Sequence, residues 1–152
     1  MPDDMKTLFQ PEAVTEILNR LDSLKQDNPA QWGKMNASQM VAHCANAIEA
    51  PLGIRNLPRT LLGRLIGGFF KAGYLSDKPM DKNSPTHPDF KISGSPDFAK
   101  ERDRLKQHIQ TFSKGPGSIK NDVHAFFGKF TSEEWAKSQY KHLDHHLKQF
   151  NV

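Results

Sequence analysis

Apolar residues recur every three or four positions through most of the chain, and this spacing constrains the fold more than any other feature. Such a period places apolar side chains along one face of an α-helix. It predicts helices over residues 11–25, 36–50, 96–114 and 131–152, and an accessory helix over 58–72. No stretch shows the alternation of a half-buried strand. We therefore expect an all-α protein in which four principal helices form a four-helix bundle.

The predicted helices begin at residues that commonly start helices. Pro11 occupies a first helical position, where its missing N–H costs nothing. Asn36 with Gln39, and Thr131 with Glu134, have the form of capping boxes, in which two side chains and two backbone N–H groups pair reciprocally. These signals support the boundaries of three of the principal helices.

The accessory helix carries large apolar residues on one face. They are Leu61, Leu62, Leu65, Ile66, Phe69 and Phe70. Glycines at 63, 67 and 68 each cost about 1 kcal/mol relative to alanine in a helix interior, so the helix depends on tertiary contacts. We expect its apolar face to pack on the bundle; a partner surface and a membrane-surface helix are the alternatives. Residues 73–95, which follow, are predicted to form a long loop between the second and third main helices that covers a site.

Size and composition limit the class of protein. A chain of 152 residues is expected to form a single domain over residues 1–152. Its one cysteine, Cys44, excludes an intramolecular disulfide and zinc sites built on cysteine clusters, and its place in an apolar stripe predicts an inert thiol. The net charge of +4 is spread along the chain, so no nucleic-acid partner is expected. No apolar run approaches the ~20 residues of a membrane span, and the first residues lack the pattern of a signal peptide. These features predict a cytoplasmic protein without a membrane partner.

The last predicted helix contains three closely spaced histidines. His142 and His146 lie about 40° apart on one face, one turn apart, so both rings can reach one metal ion. His145 lies about 160° from the centre of the apolar stripe and is predicted to face solvent. The pair lies at the rim of the buried face, where a metal site and a purely structural role are both open. Gln139, Asp144 and Gln149 are candidates for orienting such ligands.

A catalytic metal usually takes three protein ligands, so a histidine from another helix is expected to complete the site. His43 is the strongest candidate, because it flanks the apolar stripe of its own helix as His142 does. The same position also suits a histidine that merely fills a helix interface. His108 is predicted to lie at the surface and His87 in the long loop. His124 precedes the last helix, either at the mouth of the site or hydrogen-bonded to backbone at the helix entrance.

Several motifs resemble the DinB/YfiT-like superfamily of metalloenzymes. Residues 36–43 (NASQMVAH) and 142–149 (HLDHHLKQ) carry the resemblance to the superfamily. Further segments resemble one branch of it, known only as a domain of unknown function. They are residues 32–36 (WGKMN), 76–79 (SDKP) and 124–131 (HAFFGKFT), and the segment YKHLDHH that contains His142 and His146.

The resemblance implies a four-helix bundle with an up-down-down-up layout. It implies a metal triad made of His43, His142 and His146, holding a divalent zinc, nickel or iron ion, and a homodimer. It also suggests a metal-dependent enzyme acting on a small molecule, either a thiol-dependent S-transferase that uses a low-molecular-weight thiol or a metal-assisted hydrolase. The alternative is a non-enzymatic helical-bundle module for binding or dimerisation, related to stress or DNA damage.

Overall fold

A computed structural model describes residues 5–84 and 87–152 and shows a predominantly helical fold. The α-helices are α1 (Pro11–Ser23), α2 (Ala37–Glu49), α3 (Gly68–Tyr74), α4 (Phe98–Phe112) and α5 (Ser132–Gln149). A π-helical turn, Gly63–Gly67, precedes α3, and 3-10 turns lie at Pro88–Phe90 and Pro116–Ser118. Strands β1 (Val123–His124) and β2 (Gly128–Lys129) form an antiparallel hairpin. An all-α fold is therefore confirmed, with one short hairpin in addition.

The helices begin close to their predicted positions because side chains cap them. Both predicted capping boxes are present, at Asn36 and at Thr131. Helix α4 begins after Asp97, slightly later than the predicted start at residue 96, because the Asp97 carboxylate accepts a hydrogen bond from the backbone N–H of Lys100. The β1–β2 hairpin was not predicted, because strands of two residues are too short to show an alternating pattern.

The four long helices enclose the main core. Helix α2 packs against α4 and α5, and α1 packs against the same two helices. Almost the whole of α2 is buried. The predicted apolar stripe of α5 is also buried; it comprises Trp135, Ala136, Tyr140, Leu143, Leu147 and Phe150. Helices α2 and α5 thus meet in the interior of the protein, where their polar residues face each other as well.

Residues 61–74 form a helical segment that contacts this core through Tyr74, and its first part packs with the opposite face to the one expected. Gly63 and Gly67 face the hairpin, where an added Cβ would lie 2.6 and 1.9 Å from the carbonyl oxygen of Phe126. The large apolar side chains point away, with exposed fractions between 38% and 84%. The expectation that they pack on the bundle is wrong, because only glycine lets the hairpin backbone approach so closely.

The long loop lies against the first half of α2. The Phe90 carbonyl oxygen is 3.2 Å from Nδ1 of His43, and the Gly94 carbonyl oxygen accepts a hydrogen bond from Gln39. The loop therefore covers the part of α2 that carries His43; residues 85 and 86 of the predicted loop lie outside the described residues. No helix in the described part of the chain is long and apolar enough to cross a membrane.

Candidate metal centre

Helices α2 and α5 bring together the three histidines that the sequence suggested. His43 lies in the middle of α2, and His142 and His146 lie one turn apart on α5. One ring nitrogen from each lies within 4.8 Å of the other two. His43 and His146 are buried, whereas His142 is partly exposed. The cluster is thus internal, yet one of its members is in contact with solvent.

Hydrogen bonds to the outer nitrogens orient two of the three rings. Nδ1 of His43 is 3.2 Å from the Phe90 carbonyl oxygen, which can only accept, so Nδ1 carries the hydrogen. Nδ1 of His146 is 2.8 Å from Oε1 of Gln149. Gln149 donates its Nε2–H to the Trp32 carbonyl at 2.8 Å, which leaves Oε1 to accept from His146. Both histidines therefore present Nε2 with a free lone pair.

His142 completes the cluster and lacks such an outer contact. Its Nε2 lies 3.0 Å from Nε2 of His43. Two nitrogens bound at about 2.0–2.1 Å to one zinc ion would be about 2.8–3.4 Å apart for bond angles between 90° and 109°. The observed separation is in that range. Nδ1 of His142 is buried and has no hydrogen-bond partner among the described residues.

Burial keeps these imidazoles uncharged at neutral pH. Removal from water lowers the pKa of His43, and it lowers the pKa of His146 to about 3 with a further contribution from the neighbouring His43. The pKa of His142 falls well below its usual value, through burial first and the two other histidines second. A neutral imidazole is the state that binds a metal ion. The three histidines are therefore compatible with a metal site in their position, spacing and protonation state.

A sequence model of a family described as a protein of unknown function matches residues 4–152. The chain belongs to the DUF1569 family. The match includes all five α-helices and the three histidines. No curated protein and no solved structure matches the chain. Because the family description names no reaction, the chemistry of this DUF1569 domain has to be argued from the histidine cluster.

The residues proposed to orient the ligands of the DUF1569 domain have different roles. Gln149 contacts His146, as described above. Asp144 instead pairs with Arg20 and Lys148. Gln139 is buried, and its Oε1 has no hydrogen-bond partner among the described residues. The contact between the Phe90 carbonyl and His43 could not be predicted, because a backbone carbonyl carries no signal in the sequence.

His124 lies outside the cluster and has the structural role that the sequence suggested as one alternative. Its Nδ1 accepts hydrogen bonds from the backbone N–H groups of Phe126 and Phe127 at 3.0 and 3.2 Å. Burial lowers the pKa of His124 to about 4, with a smaller effect of the nearby Arg59. His124 therefore holds the turn of the hairpin that precedes α5.

The predictions for His108 and His145 need correction. His108 was expected at the surface, but its side chain is only 17% exposed and its Nε2 lies 2.9 Å from the Glu49 carboxylate, which also pairs with Arg104. The packing of α4 on α2 creates this environment, and a single helix pattern does not reveal it. His145 was expected to face solvent, yet it is partly buried with its ring centroid 5.4 Å from that of Trp32.

Cys44 has the inert character expected of it. Its thiol is buried, and burial raises the pKa of the thiol far above its usual value. A thiolate, the reactive form, is therefore strongly disfavoured at neutral pH. Cys44 is therefore not a candidate nucleophile.

Proposed function

We propose that this protein is a metal-dependent enzyme of the DinB-like superfamily in which His43, His142 and His146 hold one divalent cation. The observation that carries the proposal is the convergence of three neutral imidazole nitrogens within 4.8 Å of one another inside the protein. A single divalent cation can accept a lone pair from each of them.

The hydrogen bonds around the cluster support this proposal. His43 and His146 both use Nδ1–H to contact carbonyl oxygens, so both Nε2 atoms are acceptors. Only His142 can supply a hydrogen to the cluster, and it lies 3.0 Å from Nε2 of His43. A bound cation would accept the Nε2 lone pairs of His43 and His146, and that of His142 once its Nε2 hydrogen has been lost.

The donor set limits the identity of the ion and its chemistry. Imidazole ligands suit zinc, nickel and iron. Three protein ligands leave a coordination position for solvent or substrate, as in catalytic zinc sites, and the partial exposure of His142 offers access. A bound divalent ion lowers the pKa of a coordinated water or thiol. The proposed reactions are therefore transfer of a low-molecular-weight thiol, or metal-assisted hydrolysis of a small molecule.

The proposal includes a finer description of the fold. The four long helices would form a four-helix bundle with an up-down-down-up layout, within a single domain over residues 1–152. Contacts among α1, α2, α4 and α5 support this arrangement. It places the proposed metal between the second and last helices. A cytoplasmic location also stays a prediction.

Elemental analysis of protein purified without a histidine tag tests the proposal. We expect about one equivalent of zinc, nickel or iron in the wild type and none in His142→Ala. His145→Ala is the matched control, because His145 lies on the same helix and outside the triad; it should retain the metal. Equal metal content in the wild type and His142→Ala would reject the metal centre.

A second candidate function is an interaction module without enzymatic activity, in which the histidines are structural. The exposed apolar face of residues 61–70 favours it, because large exposed apolar patches on monomers usually mark interaction sites. The simplest partner is a second copy of the chain. Leu65, which is 73% exposed, occupies the middle of the face.

Sedimentation velocity tests this second candidate. We expect Leu65→Glu to convert a dimer to monomers, whereas Gln110→Glu at an exposed position of helix α4 should leave association unchanged. Treatment with a chelator should not alter association either. A wild-type protein that stays monomeric at about 100 μM would reject a dimer built on this face.

A further inference from the structure

Three buried polar atoms along α5 have no hydrogen-bond partner among the described residues. They are Nε1 of Trp135, Oε1 of Gln139 and Nδ1 of His142. The spacing of four and then three residues places them on one side of the helix. Trp135 and Gln139 are only 2% and 4% exposed. Unpaired buried polar atoms are rare in folded proteins, so three on one helix face call for an explanation.

In sequence, the acceptor residue Gln139 lies between two residues that can donate a hydrogen bond, Trp135 and His142. The amide oxygen of Gln139 has two lone pairs, and Nε1 of Trp135 always carries a hydrogen. Nδ1 of His142 donates in one of the two neutral tautomers. The terminal torsion of a glutamine side chain turns at little cost, so Oε1 can reorient. The same helix contains a histidine–glutamine contact in the reverse sequence order, since Nδ1 of His146 lies 2.8 Å from Oε1 of Gln149, three residues further on.

We infer that Gln139 is the positioning residue of His142. When His142 binds a cation through Nε2, the Gln139 amide oxygen accepts hydrogen bonds from His142 Nδ1–H and from Trp135 Nε1–H. The inference rests on the proposed metal centre. It gives each ligand one outer acceptor, because His43 already has the Phe90 carbonyl and His146 has Gln149, and such contacts orient metal-bound histidines.

The contact between Nε2 of His43 and Nε2 of His142 fixes the tautomer of His142 in this arrangement. Nε2 of His43 is an acceptor, so Nε2 of His142, which lies 3.0 Å away, carries the hydrogen between them. Nδ1 of His142 is then an acceptor as well and cannot pair with the Gln139 oxygen. Metal binding at Nε2 requires that this proton leaves to solvent while another binds Nδ1. The ring stays neutral, and Nδ1 of His142 changes from an acceptor to a donor.

Nitrogen NMR tests the tautomer change without any activity measurement. In the wild type we expect long-range ¹H–¹⁵N correlations to place the His142 hydrogen on Nε2 without metal and on Nδ1 after addition of Zn²⁺. The substitution Trp32→Phe leaves Trp135 as the single indole and keeps the backbone carbonyl that contacts Gln149. Its indole N–H resonance should move downfield on Zn²⁺ binding. A hydrogen already on Nδ1 of metal-free His142 would overturn the inference.

Zinc affinity, measured by competition with a chromophoric chelator, provides the second readout. Gln139→Leu removes the acceptor at similar size and should weaken Zn²⁺ binding about 10–100-fold. Gln139→Glu keeps an acceptor and should restore most of the affinity. Ser138→Ala is the control, since buried Ser138 pairs with Tyr74 and should leave the affinity unchanged.

Failure of the positioning role and failure of the metal centre give different results. If the wild type binds Zn²⁺ and Gln139→Leu binds it equally tightly, the positioning role is wrong and the metal centre stands. If the wild type binds no metal, the proposed centre fails and the inference with it. Because the NMR comparison uses the wild-type triad and a native Gln139, it does not depend on the folding of the Gln139 variants.

Discussion

The histidine triad and the apolar face at residues 61–70 depart from the usual distribution of side chains in opposite directions. At the triad, polar rings with free lone pairs lie in the interior. On the apolar face, leucine and phenylalanine side chains lie in water, and Phe69 is 84% exposed. The stripes of α1, α4 and α5 instead bury their apolar residues in the ordinary way.

The two regions suit different kinds of partner. The triad gathers three imidazole rings in a small volume, which suits a single cation. The apolar face carries a hydration cost of about 25 cal/mol per Å² over a broad area, which only another surface can remove. Positions that contradict the local pattern are where function is expected, since the rest of the sequence agrees with the fold.

Loss of a triad ligand should have the largest effect. Zn²⁺ at 100 times its dissociation constant should stabilise the wild type by about 2.7 kcal/mol, because only the folded state assembles the site. His43→Ala should abolish this increase, as seen in thermal unfolding with and without Zn²⁺. Phe69→Ser, on the apolar face, should retain it. An equal increase in His43→Ala would remove the distinction between the two regions.

Acid should loosen the hairpin that supports the apolar face. The folded pKa of His124 is about 4, below its unfolded value of about 6.5, so the unfolded chain binds the proton first. The contribution of neutral His124 is complete above pH 6.5 and decreases as pH falls towards 4, by up to about 1.4 kcal/mol per pH unit.

The difference in unfolding free energy between the wild type and His124→Asn isolates this contribution from that of the triad histidines. The free energy of unfolding of the variant should depend less steeply on pH between pH 6.5 and 4 than that of the wild type. Parallel curves for the two proteins would contradict the role assigned to His124.

Gly67→Ala should destabilise the protein by about 1–3 kcal/mol, since the new Cβ would collide with the Phe126 carbonyl. Gly68→Ala is the matched control: it is the next residue and an added Cβ there meets nothing within 4 Å. That change should stabilise by about 0.4–1 kcal/mol. Urea unfolding gives both values. Equal effects at the two positions would show that the glycine face does not pack on the hairpin.

Phe69→Ser should have the smallest effect on stability, within about 0.5 kcal/mol, because the side chain is exposed in the monomer. The same change should weaken self-association, measured by sedimentation. A large loss of monomer stability would mean that Phe69 is buried by its own chain.

The sequence predicted features that depend on neighbouring residues along the chain. The capping boxes at Asn36 and Thr131 set the starts of α2 and α5, and helical periodicity placed His142 and His146 on one face. His43 required an additional step, namely that its helix lies beside the last one. The flank position of His43 supplied that step, because two flanks meet when the helices pack.

Features that depend on the approach of distant segments were not predictable. His108 pairs with Glu49 only because α4 packs on α2. The orientation of the accessory helix follows from the contact of Gly63 and Gly67 with the hairpin, and the hairpin itself is too short to be recognised from sequence. A helical pattern gives the two faces of a helix, but the available partners decide which face is buried.

Anomalous X-ray scattering from crystals of untagged protein tests the central claim most directly. We expect one peak about 2.0–2.2 Å from Nε2 of His43, His142 and His146, with a further coordination position open to solvent. Crystals grown with zinc that show no peak there, with Nε2 of His43 and His142 still hydrogen-bonded to each other, would contradict it.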